Sequence, residues 1–579
     1  MARIGKLLRL CWPWIAAIVS GILYAACFAP FDYDWLCWVA LTPLLAAIWF
    51  SGADSRRRWL RDLLLGYVAG VSFFWTVFSW LQTVTVPGWL MVGAYMAIYV
   101  ALWSWICGQL RPGLRKARLE KAAEGVDAVT RRLNEQYAAR HGLEPIVPVP
   151  FEPPPDSLAR RSPWLSSINN LRLAFFLAAA WVAQEWFRSV VFSGWGWNTL
   201  GHTLHAQLVL IQVAEFTGVA GLSFMVAFTN VIALATIRRF ILETQVKPMR
   251  LHFDLTLTMA GLVGVMGYGL QVHNVRRETR PLNVALVQPN VPRDEKFTVE
   301  FENKIFEGFK QLSMPVLETT TRPDLLVWPE SSMPDAVLFD NTSNRFVMDF
   351  AAAAKTDLML GTLDYDPPNV AYNAALLVSD GGTKRQVYRK VHLVPFGEYV
   401  PGRKTIPLLA RVVGDQVPYD FAFGKEHTVF TLTGDKAKIA PLICFEDTIG
   451  DLTRQFVLAG ANLLVNVTND GWFLRSAGSR QHLANAVFRC VETRLPMVRA
   501  ANTGVTCFVS EFGSVTQTLV DEYGSQFTAG TLAGQVAVPV NAPPTFYVRY
   551  GEWFSYCCLA VSALTLIFLV ARRLARRTG

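Results

Sequence analysis

The chain has 579 residues, enough for several domains, of which 52% are hydrophobic and only 17% charged. Its mean hydropathy is positive, and soluble domains are nearer a quarter charged, so the composition excludes an ordinary soluble globule. The net charge of +9 does not indicate nucleic acid, because the basic residues sit in short clusters beside apolar runs, the pattern of membrane topology.

A helix needs about 20 mostly apolar residues to cross the hydrocarbon core. Eight stretches meet this, at roughly 11–29, 34–50, 63–82, 88–109, 171–190, 208–236, 255–273 and 552–571. The first reads as a retained helix, since further spans follow it closely. Lys and Arg gather at the N-terminus (Arg3, Lys6, Arg9), between the second and third spans (Arg56, Arg57, Arg58, Arg61), between the fourth and fifth (Arg111 to Arg132), between the sixth and seventh (Arg238 to Arg250), and at the C-terminus (Arg572 to Arg577). The alternate loops, 30–34, 83–88 and 191–207, carry almost none; Arg188 is the exception. Positive loops face the cytoplasm. This predicts a seven-span bundle over 1–275, both termini inside, and residues 280–545 outside the cytoplasm before a closing span at 552–571.

Residues 111–170 read as a cytoplasmic insertion, with a charged helical stretch followed by a Pro-rich linker at 145–155. Glu185 and Glu215 fall in or beside spans, where a carboxylate is paired or functional because an unpaired charge there costs at least about 2.5–3.5 kcal/mol. Of nine cysteines, six lie in or beside apolar segments. No CxxC spacing suggests zinc, and Cys490 and Cys507 read as two buried thiols.

From 282 onward short apolar runs alternate with turns. Strands are expected at 283–287, 325–328, 358–361, 374–378, 439–443 and 463–467, with helices at 299–320 and 480–495, the pattern of an α/β domain. Three strand ends carry reactive groups: Glu330 in Leu-Leu-Val-Trp-Pro-Glu, Lys390 and Glu398 in Tyr-Arg-Lys-Val-His-Leu-Val-Pro-Phe-Gly-Glu-Tyr-Val-Pro, and Cys444 with Glu446 in Leu-Ile-Cys-Phe-Glu-Asp. Each alone has an ordinary reading as a cap, a solvated charge or a buried thiol.

As an ordered set, WPE, YRKxHLVPFGEYVP and CFE resemble the nitrilase (carbon–nitrogen hydrolase) superfamily. PFGEYVP, TNDGWF at 468–473 and the flanking spans resemble the apolipoprotein N-acyltransferase family over nearly the whole chain. The resemblance implies an αββα sandwich on a multi-pass bundle in the bacterial cytoplasmic membrane, with the catalytic domain on the periplasmic side. It implies transfer of an acyl chain from a phospholipid, through a Cys444 thioester, to the α-amino group of a diacylglyceryl-cysteine on an apolipoprotein. Glu330 would be the general base, Lys390 the oxyanion stabiliser and Glu398 a supporting carboxylate. Glu446, Phe445, Trp472 and Phe297 would bind substrate or orient the site, with Trp472 at the lipid entrance. Phe297, Phe445 and Gly471 stand where the family more often has Trp, Tyr and Ala. No metal or other cofactor is expected. His392 and His482 lack metal-ligand spacing and read as structural. A monomer is expected. The alternative is a membrane-tethered amidase, which the triad alone does not exclude.

The chemistry poses a problem of acidity. A free thiol has a pKa near 8.5 and a Glu near 4.3, so moving the proton costs about 5–6 kcal/mol. Burial or a neighbouring Glu398 could raise the base, and the Lys390 ammonium could lower the thiol.

Overall fold

The computed structural model describes residues 2–578 except 53–54, 112–132, 134, 138, 141–162, 244–251, 276, 293–300, 340, 369, 404, 406–416 and 418. Most of the 111–170 insertion, and Phe297, lie outside the described residues.

The N-terminal region is a helical bundle: α1 (Ala2–Ala25), α2 (Thr42–Phe50), α3 (Arg58–Val77), α4 (Val86–Gln109), α5 (Pro163–Val190), α6 (Val219–Glu243) and α7 (Phe253–His273). Among the described residues five helices are long and apolar enough to cross a membrane: α3, α4, α6 over Val219–Phe240, α7, and the C-terminal stretch Trp553–Arg572. Two expected spans are not continuous helices. Residues 34–50 form a 3-10 turn (Asp34–Trp38) and then α2, whose nine residues rise only about 14 Å. The 208–236 stretch begins as two single turns, Leu208–Ile211 and Ala214–Thr217, and becomes a long helix only after Gly218. Gly218 has φ 62°, and a Cβ there would lie 2.7 Å from the Tyr547 ring. The polypeptide must bend here to let the C-terminal connector pass.

The α/β domain holds two six-stranded sheets. The first is ordered β12-β1-β2-β3-β4-β5: β1 (Thr279–Gln288), β2 (Leu325–Val327), β3 (Asp357–Asp366), β4 (Val370–Ser379), β5 (Lys384–Arg389) and β12 (Gly530–Pro539). The second is ordered β11-β10-β9-β8-β7-β6: β6 (Phe430–Thr431), β7 (Lys438–Ile443), β8 (Leu463–Thr468), β9 (Met497–Ala501), β10 (Cys507–Val509) and β11 (Val515–Thr518). Alternation along β1 explains the layers. Leu282, Val284 and Leu286 join the core shared with Leu442 and Val465 of the other sheet. Ala285 and Val287 face a second core built with α8 (Glu302–Leu317) and α9 (Thr342–Ala354). Both faces are buried, which is why these strands read as apolar runs. The second sheet is flanked by α10 (Gly450–Leu458) and α11 (Gly478–Thr493). Helix α12 (Trp553–Thr578) returns to pack on α5. The chain is thus a membrane helical bundle joined to an α/β sandwich.

Candidate active site

Parallel strands β1, β2 and β3, and likewise β7, β8 and β9, end at one edge of the sandwich. Reactive groups sit in the loops just beyond them. Trp328 donates its backbone N–H to Met359 (2.8 Å), and Pro329 then stops the strand. Glu330 is seated by Gly361, where an added Cβ would lie 2.5 Å from the Glu330 Cα. Lys390 follows β5 directly, anchored by its N–H on the Asn373 carbonyl (2.8 Å). Cys444 follows β7 with φ 53°, a left-handed conformation that costs a non-glycine residue about 1–3 kcal/mol unless its surroundings fix it.

These loops bring Glu330, Lys390, Glu398 and Cys444 into one electrostatic unit. Lys390 is 1% exposed and lies 2.9 Å from Glu398. Asn373 donates from Nδ2 to Glu330 Oε1 (2.8 Å) and to Glu398 Oε1 (2.7 Å), joining the two carboxylates through one amide. Glu398 Oε2 also accepts from the Val394 N–H (2.7 Å). The sequence did not single out Asn373; its signal was a lone polar residue opening the apolar run 374–378.

Burial opposes charge on Lys390, but Glu398, Cys444, Glu330 and Glu446 together outweigh it and hold the ammonium well above its ordinary range. Burial pushes the Cys444 thiol up and the Glu330 charge adds to this; Lys390 and a hydrogen bond from Thr468 only partly oppose. Lys390 lowers the thiol as expected, but burial and the adjacent carboxylate outweigh it. The balance favours the neutral thiol of Cys444.

Glu446 is fully buried and acts as a clasp. Oε1 accepts from the Tyr388 hydroxyl (2.8 Å) and from the Val391 (2.8 Å) and His392 (3.0 Å) N–H groups, and Oε2 accepts from the Ile443 N–H (2.9 Å). It ties the Lys390 loop to the Cys444 turn. Burial lifts its carboxyl to about 7. His392 falls to about 4, through burial and then Lys390. Phe445 is buried, its ring 5.8 Å from His392 and 5.7 and 5.8 Å from Trp195 and Trp197 of the bundle loop. Trp472 is half-buried, and its carbonyl accepts from the Thr83 hydroxyl at the mouth of the bundle (3.3 Å).

Both carboxylates that the sequence places in or beside expected spans are engaged. Glu185 Oε1 accepts from Trp181 Nε1 and from the Leu200 N–H, each at 2.7 Å. Glu215 pairs with Arg494 of the α/β domain at 2.5 Å. Arg188 is 3% exposed, its guanidinium over the Phe74 ring. Cys490 and Cys507 are free buried thiols. No metal-binding group of His, Cys, Asp and Glu occurs among the described residues.

The comparisons with known proteins divide the chain as the fold does. The family described as apolipoprotein N-acyltransferase N-terminal domain matches residues 20–121 and 157–232, and carbon-nitrogen hydrolase matches 283–537. The apolipoprotein N-acyltransferase of Geobacter metallireducens is 30% identical, covering 97% of this chain and 96% of its own. That of Nitrosomonas europaea is 32% identical over 72% of this chain and 78% of its own. That of Bradyrhizobium diazoefficiens is 26% identical over 100% and 98%. A bundle carrying a nitrilase-like domain, with relatives of the same name matching from end to end, makes this chain an acyltransferase of the apolipoprotein N-acyltransferase family.

Proposed function

We propose that the protein moves an acyl chain from a membrane phospholipid onto Cys444, and from there to the α-amino group of a diacylglyceryl-cysteine at the N-terminus of an apolipoprotein. The supporting observation is the position of the nucleophile. Cys444 shares its site with Glu330 and Lys390, while its neighbour Phe445 packs on tryptophans of the membrane bundle. Substrates with long acyl chains suit a thiol set at that seam.

In the first half-reaction Glu330 takes the thiol proton as sulfur attacks the ester carbonyl. The new C–S bond gives an oxyanion facing the Lys390 ammonium, which stabilises it more than the uncharged ester. The C–O bond then breaks, and Glu330 returns the proton to the departing lysophospholipid. In the second, the neutral amine attacks the thioester, Glu330 accepts the amine proton, the C–S bond breaks and the proton returns to sulfur. Glu398 holds Lys390 in place and balances its charge. No cofactor enters either step. Trp472 is assigned to the lipid entrance and Phe297 to substrate binding.

The topology belongs to the same proposal: eight membrane segments counting the broken ones, termini in the cytoplasm, residues 280–545 on the periplasmic face of the inner membrane, and a monomer. A reporter fused near residue 380 is expected to be active only outside the cytoplasm.

Incubation of the purified protein with phospholipid bearing a labelled acyl chain is expected to place the label on Cys444 as a hydroxylamine-sensitive thioester. Absence of that adduct, with release of ammonia from small amides, would favour a tethered amidase. Cells dependent on Cys444→Ala are expected to accumulate diacylated lipoproteins.

A further inference from the structure

Beneath the nucleophile lies a second ionisable cluster that the proposed chemistry does not use. Asp447, Asp470, His482 and Arg499 are each at most 1% exposed. They come from four elements: the 3-10 turn Cys444–Thr448, the 3-10 turn Asp470–Phe473, α11 and β9. Arg499 pairs with Asp447 through Nη1 and with Asp470 through Nη2 (3.1 Å). His482 places Nε2 2.8 Å from Asp447 Oδ1 and Nδ1 3.0 Å from Asp470 Oδ1.

The charges can be counted. Two carboxylates and one guanidinium leave a net negative charge away from water, which is costly. A neutral imidazole could donate to only one carboxylate and would accept from Arg499 Nη2 at Nδ1, 2.9 Å away. An imidazolium donates to both carboxylates and brings the cluster to zero. The charged groups facing the ring are Asp447, Arg499 and Asp470; the rings of Trp197 and Phe473 lie against it at 5.2 and 6.2 Å.

The cluster reaches the nucleophile by two routes. Arg499 Nη1 donates to Asn466 Oδ1 (3.0 Å), and Asn466 Nδ2 donates to the Cys444 carbonyl (3.0 Å). The Thr468 hydroxyl lies 3.4 Å from Asp470 Oδ1 and hydrogen-bonds the Cys444 side chain. The left-handed turn at Cys444 needs such support. On the bundle side the adjacent Gln481 donates to the Ala29 (2.7 Å) and Val77 (3.0 Å) carbonyls and accepts from Trp80 Nε1 (3.0 Å).

We infer that His482 is an imidazolium which, with Asp447, Asp470 and Arg499, forms a charge-neutral anchor that fixes the Cys444 turn and sets the electrostatic surroundings of its thiolate. These are positioning residues; they act through Asn466, Thr468 and the backbone. The anchor rests on the assignment of Cys444 as nucleophile and not on the identity of the acyl donor.

The experiment reads the rate of Cys444 alkylation by iodoacetamide at pH 8 in the full-length detergent-solubilised protein, with the other thiols accounted for by peptide mass spectrometry. His482→Gln leaves the cluster at minus one and is expected to slow alkylation about tenfold, the effect of roughly one unit of thiol pKa. Asp447→Asn leaves it at plus one and is expected to speed alkylation. The double variant returns to zero and is expected to come back to within about threefold of the parent. Packing damage would move all three rates in one direction; that result, or a double variant no better than His482→Gln, would overturn the anchor. Asp447→Asn and a histidine-labelled ¹⁵N spectrum of the parent keep the inference exposed if His482→Gln does not fold. An unprotonated ring nitrogen for His482 at neutral pH would also overturn it. Alkylation needs no lipid. Rates that follow the predicted order while phospholipid leaves Cys444 unacylated would sink the proposed donor and leave the anchor standing.

Discussion

Replacing Asn373 by Leu tests how the base is kept ready. Its amide gives one hydrogen to Glu330 and one to Glu398, at 2.8 and 2.7 Å. A hydrogen bond to a charged group contributes about 1.5–3 kcal/mol. Losing it disfavours the ionised base by that amount, about one to two pH units at 1.36 kcal/mol each. Glu398 still holds Lys390 at 2.9 Å and the Val394 N–H, so its own charge stays compensated. The acid limb of Cys444 acylation by phospholipid should therefore move up by about one to two pH units. The rate at high pH should recover to within about threefold of the parent, with little change in KM, because the Asn373 amide is spent on the two carboxylates. Single-turnover acylation followed by mass spectrometry across pH 5–9 measures this. A rate lowered equally at every pH, or an unmoved limb, would refute the shared-amide account. Asn373→Asp, which sets a third carboxylate against the other two, should give the larger shift.

The remaining predictions concern the clasp and the seam. Glu446→Gln replaces one acceptor oxygen by a donor facing the Ile443 N–H, and acylation should fall about five- to 150-fold, as expected when about 1–3 kcal/mol of a positioning hydrogen bond is lost. The stability of that variant should depend on pH in a set direction. Because burial lifts the folded carboxyl to about 7, the parent pays a folding penalty that is absent below about pH 4.5 and grows to about 3 kcal/mol by pH 7. The uncharged variant should gain on the parent as pH rises through that window, read from chemical denaturation; a difference independent of pH would count against it. Arg494→Leu strands Glu215 at the bundle–domain seam and should destabilise by about 3–5 kcal/mol; adding Glu215→Gln should recover part of this in thermal unfolding, and no recovery would deny the pair. Gln481→Leu removes acceptors and donors from Ala29, Val77, Trp80 and Asn198 and should cost about 2–4 kcal/mol in the same assay.

Six of the twelve strands, β1 to β4, β7 and β8, were legible because sheet faces that are both buried give unbroken apolar runs, whereas β5, β6 and β9 to β12 were not expected. Leu325–Val327 and Leu463–Thr468 are buried at every position. The broken spans were not legible by hydropathy, which counts apolar residues without regard to backbone path. Asp34–Phe50 is apolar enough to span yet is divided by a 3-10 turn, and the stretch from 208 is broken at Gly218, whose bend is required by Tyr547, far off in sequence. Composition could not show that contact.

The site divides along the same physical line. Lys390 and Cys444 follow strands directly and Glu330 lies three residues past one, so a local reading of strand, stop and reactive group finds them. Asn373 and the His482 anchor depend on which strands lie side by side. Asn373 meets Glu330 only because β3 pairs antiparallel with β4, placing Leu363 opposite Asn373. His482 meets Asp447 and Asp470 only because β7, β8 and β9 run parallel and end together. A histidine without ligand spacing reads as structural until the three charges around it are counted. Burial then changes what those charges mean: at the surface they would be solvated singly, whereas at 0–1% exposure they must balance as a set. The thiol above them is subject to the same constraint. Burial raises its pKa most, and the charges buried with it follow, Glu330 and Asp470 raising it further against Lys390. The acidity of Cys444 is therefore a property of the domain edge as a whole and not of the lysine alone.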